Sequence, residues 1–165
     1  MIRKAKLTDL DAIMSIINET VKEMKSYKND QWDENYPNRK TFINDIENEN
    51  LYLYEEDNYI KGFVCIDTYE AKEYDNLKWS SNDKCMVTHR MAIDSKFRNN
   101  HIASKLMDFC EELAINKGVR YLKADTYSVN EKMNSFFKKR RYNFVGEVFF
   151  EGKENPFYVY EKILK

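Results

Sequence analysis

The hydrophobic period of the sequence switches several times between helical and strand-like spacing, which restricts the chain to folds that pack helices against a sheet. After a short first strand, helical spacing appears at Leu10, Ile13, Met14, Ile17, Val21 and Met24. A second stripe follows Pro37 and Asn38 and consists of Phe42, Ile43 and Ile46. We predict an amphipathic helix for each stretch. Thr8 and Asp11 have the spacing of a capping box at the start of the first helix.

Strand-like segments occupy the middle of the chain. Residues 51–55 and 59–68 are rich in aromatic and β-branched side chains and are separated by a short polar stretch, which predicts a hairpin. Residues 69–84 are polar, and we expect them to form a loop. Residues 84–94 predict another strand, with one face formed by Val87, His89, Met91 and Ile93.

The last third of the chain alternates between the two periods again. Helical spacing returns at Ile102, Leu106, Phe109, Cys110 and Leu113 and stops at Gly118. Residues 121–127, 144–150 and 157–164 indicate strands, and residues 131–139 indicate a short helix. With only 4 Gly and 2 Pro and no linker-like stretch, we predict a single domain over residues 1–165. Its expected class is α/β, with a mixed, largely antiparallel sheet flanked by about four helices.

The charges of the chain nearly cancel, with 27 Lys plus Arg against 28 Asp plus Glu, so no strong field would draw nucleic acid to it. Cys65, Cys85 and Cys110 are odd in number and widely spaced, which indicates free thiols in a reducing compartment. No stretch approaches the ~18 apolar residues of a membrane span, and the N-terminus lacks the pattern of a secretion signal. We therefore expect a cytoplasmic protein.

The clearest chemical signature lies in residues 91–104, where a strand leads through a polar turn into the start of a helix. Backbone N–H groups in the first turn of a helix have no internal partner, and the helix dipole adds positive potential there. A phosphate can bind at such a junction, and Arg98 can add a charge-assisted contact. The same pattern also fits an ordinary strand-to-helix connection with a surface arginine.

Two motifs in this sequence resemble those of the GNAT superfamily of acetyl-CoA-dependent N-acetyltransferases. The pattern Arg98-x-x-His101-x-Ala103 is similar to the superfamily's acetyl-CoA motif at the start of a long helix. Downstream, Asn130 is followed by an aromatic pair ending at Phe137 and by a basic turn, as in a second superfamily signature. The two motifs and the order of elements together cover essentially the whole chain.

The resemblance implies a single GNAT-like domain that moves the acetyl group of acetyl-CoA to a primary amine, which attacks the thioester directly in a ternary complex. It implies no metal and no acyl-enzyme, so that Cys110 belongs to the core. The residues expected to bind acetyl-CoA are Met91, Ala92, Ile93, Arg98, Asn99, Asn100, His101, Ile102, Ala103, Ser104 and Asn130.

Two positions depart from the superfamily pattern. His101 stands where a glycine is preferred, so either the backbone tolerates a side chain there or the pyrophosphate approaches less closely. Phe137 stands where many relatives carry a tyrosine that donates a proton to the departing sulfur, which a phenyl ring cannot do. Both departures support an alternative function, a catalytically weak or inactive acyl-CoA-binding regulatory module.

His89 is the candidate base that removes a proton from the acceptor amine, because such an amine has a pKa of ~10 and is almost wholly protonated at neutral pH. Some amine-acetylating relatives place a histidine at the corresponding position. A packed, hydrogen-bonded strand histidine is the alternative interpretation.

The candidate acceptor-binding residues are Trp32 and Tyr36, between the first two helices, and Glu19. Large aromatic rings beside carboxylates suit a cationic amine, although Trp32 and Tyr36 also fit an anchoring role for their loop. The expected partners are acetyl-CoA and a small-molecule amine, with a protein amine as the less favoured acceptor. We expect neither nucleic acid nor membrane as a partner, and a homodimer stays open.

Overall fold

The computed structural model describes all 165 residues and contains seven strands and four helices. The strands are β1 (Ile2–Lys4), β2 (Leu51–Glu56), β3 (Tyr59–Asp67), β4 (Met86–Ile93), β5 (Tyr121–Tyr127), β6 (Asn143–Val148) and β7 (Phe157–Ile163). The helices are α1 (Leu10–Ser26), α2 (Arg39–Glu47), α3 (Ile102–Asn116) and α4 (Glu131–Lys139). Every predicted strand and helix is present, and the predicted α/β class is confirmed.

The strands form one sheet in the order β1-β2-β3-β4-β5-β7-β6. The pairs β1 with β2, β2 with β3, β5 with β7 and β6 with β7 are antiparallel, whereas β4 and β5 are parallel. The sheet is therefore mixed and largely antiparallel, as predicted. The ladder between β4 and β5 joins Met86, Val87 and Thr88 to Leu122, Lys123 and Ala124. In contrast, β7 pairs with β5 over all of Tyr121–Tyr127.

The chain divides into two compact units, each built from two segments. The first unit consists of Met1–Ile66 and His89–Cys110, and the second consists of Asp67–Thr88 and Glu111–Lys165. The chain passes from the second unit to the first within β4, between Thr88 and His89. The expectation of a single domain over the whole chain stays a prediction.

The core of the first unit lies between α1, α2 and one face of β2 and β3. Side chains two residues apart on the strands enter it, as period-2 alternation requires: Leu51, Leu53, Phe63 and Cys65 are almost fully buried. The helices contribute Ile13, Ile17, Val21, Phe42 and Ile46. The rings of Phe42 and Phe63 meet edge to face, with their centroids 5.3 Å apart.

The predicted capping box of Thr8 and Asp11 is wrong. A short 3-10 turn, Leu7–Asp9, precedes α1, and Asp9 supplies the capping carboxylate by accepting a hydrogen bond from the Lys6 backbone N–H at 2.7 Å. Arg3 holds this carboxylate through an ion pair of 2.8 Å, which lowers the pKa of Asp9. The sequence pattern alone could not show that Arg3, on β1, would select Asp9.

The segment predicted as a polar loop, residues 69–84, contributes to the core of the second unit. It contains a 3-10 turn, Lys72–Asn76, whose Tyr74 is almost fully buried. The indole N–H of Trp79 donates to the Tyr74 carbonyl oxygen at 3.0 Å. Tyr74 packs in a cluster with Val87, Tyr121, Tyr127 and Val159. Because polar residues separate these aromatics, the sequence pattern did not indicate that one side of the segment is buried.

The cysteines occupy buried positions in both units, and none is in a disulfide. Cys110 is fully buried on α3, in agreement with the expected core role. Burial raises the pKa of Cys85 to about 11, so this thiol stays protonated and unreactive at neutral pH.

Gly62 on β3 allows the start of α3 to pack closely against the sheet of the first unit. A Cβ atom at this position would lie 2.7 Å from Cδ1 of Ile93, 3.0 Å from the carbonyl oxygen of Ala92 and 3.4 Å from Cγ2 of Ile102. The Ala92 contact is to backbone, so it cannot be relieved by a change of rotamer. Gly62 thus brings the end of β4 and the first residue of α3 together.

We expect Gly62→Ala to lower the free energy of unfolding by ~1–3 kcal/mol, because overpacking forces side chains and backbone apart. Gly146→Ala is the matched control, since its Cβ would meet only Cδ2 of Leu77, the end of a flexible side chain, at 2.9 Å. Urea unfolding of both variants measures the difference. Equal, small losses would show that β3 and α3 have room to separate.

Candidate active site

The turn between β4 and α3 leads into the N-terminus of a helix. Asn99 and His101 adopt left-handed conformations, with φ of 68° and 56°. The first helical hydrogen bond of this segment runs from Lys105 N–H to the His101 carbonyl oxygen at 3.0 Å. The N–H groups of Ile102, Ala103 and Ser104 precede that bond and lie at the positive end of the helix dipole. The predicted phosphate-binding residues thus lie at the N-terminus of α3, and their role in binding stays a prediction.

The left-handed conformation of His101 accounts for the glycine that the resemblance led us to expect there. A residue with a Cβ pays about 1–2 kcal/mol in this region of backbone space, whereas glycine does not. His101 adopts the conformation nevertheless, so the turn keeps its shape with a side chain present.

Arg98, the predicted phosphate contact, forms an ion pair with Glu23 on α1. Glu23 belongs to none of the motifs in the sequence. Both side chains are partly buried, which strengthens their attraction relative to a pair in open solvent. A phosphate that binds Arg98 would therefore compete with a carboxylate already in contact with the guanidinium.

The end of β4 places the other predicted residues on two faces of the strand. His89, Met91 and Ile93 are half-buried, and Ala92 is buried in the core between the sheet and the first two helices. The strand ends where the Asp94 N–H donates to the Lys61 carbonyl oxygen at 2.9 Å.

Arg90 organises a polar network that sequence reasoning missed. Its Nε and Nη2 atoms donate to the two carboxylate oxygens of Asp45 on α2, at 2.9 and 2.6 Å. Its Nη1 donates to the hydroxyl oxygen of Tyr36 at 2.9 Å, and Nη2 lies 3.5 Å from Sγ of Cys65. Burial alone would lower the pKa of Arg90, but Tyr36, Cys65 and Asp45 together raise it above its ordinary value. Arg90 is thus a permanent cation with a fixed orientation.

Two sequence signals could have revealed this network. Arg90 is the only Arg, Lys, Asp or Glu on β4, and Asp45 lies beside Ile46 on the apolar stripe of α2. Charges at positions that period analysis assigns to the interior require partners.

The predicted acceptor residues are not brought together as a set. Tyr36 is 45% exposed and is held by Arg90. Trp32 is only 8% exposed and belongs to the core of the first unit, which fits the alternative that it anchors its loop. Glu19 lies on the exposed side of α1, where it pairs with Lys22 at 3.2 Å.

In the second unit, Asn130 caps α4 by accepting a hydrogen bond from the Met133 N–H at 3.2 Å. Phe137, the residue without the expected hydroxyl, is 3% exposed. Its ring stacks on Tyr160 with a centroid distance of 5.1 Å and lies 5.4 Å from the ring of Tyr142. The Tyr160 hydroxyl donates to Oδ1 of Asn134 at 2.6 Å. Phe137 therefore contributes aromatic packing to this helix.

A match to a known family shows to which family the chain belongs. The sequence model of the acetyltransferase (GNAT) family matches residues 13–142, which include the turn and the Asn130 motif. The chain belongs to the GNAT acetyltransferase family. Members of this family use acetyl-CoA as the acyl donor. No curated protein matches the chain.

Solved structures of similar fold match the chain over essentially its whole length. A GNAT family acetyltransferase from Streptococcus agalactiae 2603 is 27% identical, with a TM-score of 0.86 over 100% of this chain and 95% of that one. A GNAT family acetyltransferase from Listeria monocytogenes 4b F2365 is 24% identical, with a TM-score of 0.76 over 99% and 94% of the two chains. The yncA protein of Salmonella typhimurium, solved with its cofactor acetyl-CoA, is 13% identical, with a TM-score of 0.73 over 100% and 94%.

Two further observations concern metals and membranes. No group of three or more His, Cys, Asp or Glu side chains is placed to hold a metal ion. None of the helices combines the length and the apolar character that a membrane crossing requires.

We expect Asp45→Asn to lower the free energy of unfolding by about 3–5 kcal/mol, because it leaves the buried Arg90 charge without its counter-charge. Tyr36→Phe removes only one hydrogen bond from a half-exposed hydroxyl and should cost about 0.5–1.5 kcal/mol. Urea unfolding compares the two variants. If Asp45→Asn lowers the free energy of unfolding no more than Tyr36→Phe does, water solvates the Arg90 charge well enough to replace the Asp45 carboxylate.

Proposed function

We propose that this acetyltransferase moves the acetyl group of acetyl-CoA to a primary amine of a small molecule, which attacks the thioester directly while both substrates are bound. The turn at the start of α3 carries the proposal. Its two left-handed residues and the N–H groups of the first helical turn suit the pyrophosphate of acetyl-CoA. The phosphate-binding residues would be Arg98, Asn99, Asn100, His101, Ile102, Ala103 and Ser104.

The backbone of Met91, Ala92 and Ile93 would hold the pantetheine arm, and one of its amides would polarise the thioester carbonyl in the manner of an oxyanion hole. Asn130 would contact the arm further along. Its Oδ1 caps α4, so this contact would fall to the Nδ2 donors.

The reaction must remove two protons from the ammonium form of the acceptor. The first leaves before the nitrogen can attack, and His89 would accept it. The attack forms the C–N bond, collapse of the tetrahedral intermediate breaks the C–S bond, and the second proton of the nitrogen passes to solvent. CoA then leaves as a thiolate, which a thiol pKa of ~8.5 makes a fairly stable leaving group. Catalysis is therefore physically reasonable with phenylalanine at position 137.

A regulatory acyl-CoA-binding module is the alternative, and the buried ring of Phe137 favours it because no hydroxyl is present to protonate the sulfur. An assay of CoA release in the presence of a panel of amines distinguishes an active acetyltransferase from such a regulatory module. A catalyst releases CoA with at least one amine, whereas a regulatory module binds acetyl-CoA without turnover.

Acetyl-CoA should stabilise the folded protein, by ~2.7 kcal/mol at one hundred times its dissociation constant. We expect Arg98→Ala to weaken acetyl-CoA binding about tenfold or more, the effect of losing a charge-assisted hydrogen bond. Glu23→Gln should tighten binding, because it removes the carboxylate that competes with phosphate for Arg98.

Calorimetric titration with acetyl-CoA measures both effects. Weaker binding in both variants would show that the ion pair only supports the turn. No binding by the unmodified protein would remove the basis of the proposed function.

We expect His89→Ala to lower turnover by ~10²-fold or more near pH 7, where the amine is protonated and needs a base. The loss should shrink toward pH 10, where much of the amine is already neutral. Steady-state rates of CoA release across this pH range provide the measurement. A loss of equal size at every pH would identify His89 as a structural residue.

A further inference from the structure

Tyr36 lies in the loop between α1 and α2, and one aspartate fixes its backbone. The Tyr36 N–H donates to Oδ1 of Asp33 at 3.0 Å, and the Tyr36 carbonyl oxygen accepts from the Asp33 N–H at 2.9 Å. The next residue, Pro37, is buried. Both main-chain groups of Tyr36 are therefore used within the loop. Its side chain remains for other contacts, in a residue that is 45% exposed.

The Tyr36 hydroxyl accepts a hydrogen bond and leaves its own hydrogen without a protein partner. A phenol has one O–H donor, and its oxygen can also accept. This oxygen accepts from Nη1 of Arg90 at 2.9 Å, and no protein group accepts the phenolic hydrogen. A hydroxyl that accepts from a cation is polarised by it and becomes a stronger donor. Tyr36 thus offers a strengthened donor at a half-exposed position.

Arg90 offers a second donor at the same place. Arginine has five N–H donors in a rigid plane. Nε and Nη2 are engaged by the Asp45 carboxylate, and Nη2 also lies 3.5 Å from Sγ of Cys65. Nη1 donates only to Tyr36, so its second hydrogen has no protein acceptor. Because the two bonds to Asp45 fix the plane of the guanidinium, they also fix the direction of this hydrogen.

Two donors on neighbouring atoms suit a carboxylate. The Tyr36 hydroxyl oxygen and Nη1 of Arg90 are 2.9 Å apart. A carboxylate has two acceptor oxygens and no donor, whereas a neutral carbonyl group has one oxygen. The Arg90 side chain is only 15% exposed, and hydrogen bonds are stronger where the local dielectric constant is low. Bonds from a cation to a carboxylate belong to the strongest class of hydrogen bond in proteins.

The charges at this place favour an anion over a cation. Asp45 binds Arg90 through Nε and Nη2, so the carboxylate does not contact Nη1. An ammonium group at the Tyr36 hydroxyl would meet an oxygen that already accepts from a cation, and the Arg90 charge would repel it. An amine without an anionic group therefore gains nothing from this pair of donors.

The two donors belong to the same compact unit as the turn that we propose to bind acetyl-CoA. Tyr36, Arg90 and residues 98–104 all lie in the first unit. Arg90 directly precedes Met91, the first of the three residues whose backbone would hold the pantetheine arm. Their Cα atoms are therefore about 3.8 Å apart. An acceptor whose amine meets the thioester at this segment can extend its other end toward Arg90 and Tyr36.

We propose that Tyr36 and Arg90 bind a carboxylate of the acceptor, so that the acceptor amine belongs to an amino acid. The phenolic O–H and the second hydrogen of Nη1 would each donate to one carboxylate oxygen, and Asp45 holds Arg90 in position. This inference rests on the proposed function and names its substrate class.

The test uses pairs of amines that differ only in the carboxylate: phenylalanine with 2-phenylethylamine, histidine with histamine, leucine with isoamylamine, and lysine with cadaverine. Rates of CoA release give KM and kcat for each compound. An accepted amino acid should have a KM at least about tenfold lower than its decarboxylated partner, because the partner lacks the charged hydrogen bonds.

The variant Tyr36→Phe removes the phenolic donor and keeps the ring. It should raise the KM of an accepted amino acid about tenfold, while the KM of the decarboxylated partner and the affinity for acetyl-CoA stay within twofold. Comparing each compound between the two proteins removes the difference in amine pKa within a pair. Tyr59→Phe is the control, since it removes the hydroxyl of a 65% exposed tyrosine in the same unit, and it should change none of these values.

The outcomes separate this inference from the proposed function. If Tyr36→Phe raises the KM of both members of a pair equally, Tyr36 only supports its loop, and the carboxylate role is overturned. A decarboxylated amine with a KM equal to or below that of its amino acid also overturns that role, while the proposed function stands. If the unmodified protein does not bind acetyl-CoA, or turns over no member of any pair, the proposed function fails and this inference fails with it.

Discussion

The close approach of β3 to the end of β4 and the start of α3 is the constraint on which the candidate site depends. Gly62 makes this approach possible, since any side chain would meet the carbonyl oxygen of Ala92 at 3.0 Å. The end of β4 and the first residue of α3 are thereby held at a fixed separation, and the turn between them must span it. The backbone of this turn includes left-handed conformations at Asn99 and His101. The geometry of the turn that we propose to bind phosphate thus depends on a missing Cβ on a neighbouring strand.

Buried and partly buried charges fasten the irregular segments of each unit. Arg90 connects β4 to α2 through Asp45 and to the loop between the first two helices through Tyr36. In the second unit, Tyr74 and Glu70 attach residues 69–84 to β5 through Asp125 and Lys123. Such pairs add little net stability, because desolvation offsets their attraction. Their effect is geometric, since each removes the freedom of a loop that composition alone would leave mobile.

The departures from the family motif affect different steps of the proposed reaction. His101 carries a side chain in a backbone conformation that glycine adopts more easily, which concerns the binding of acetyl-CoA. Phe137 packs on Tyr160 and lacks a hydroxyl, which concerns only the departure of the thiol. Because a thiolate is a fair leaving group, the second departure slows chemistry without forbidding it.

The sequence by itself determined the order of strands and helices, the family and the place of the turn. These rest on local patterns: the period of Val87, His89, Met91 and Ile93, the helical stripe from Ile102 to Leu113, and the spacing of Arg98, His101 and Ala103. Tertiary structure alone decided that the Asp9 carboxylate caps the 3-10 turn before α1, that Glu23 contacts Arg98, that Asp45 contacts Arg90, and that Tyr74 enters the core beside Asp125. Each of these pairs joins residues from different elements or across a turn, and the choice of partner depends on which side chains the packed backbone brings within hydrogen-bonding distance. Periodicity assigns a residue to a face, but it does not specify which residue lies opposite that face.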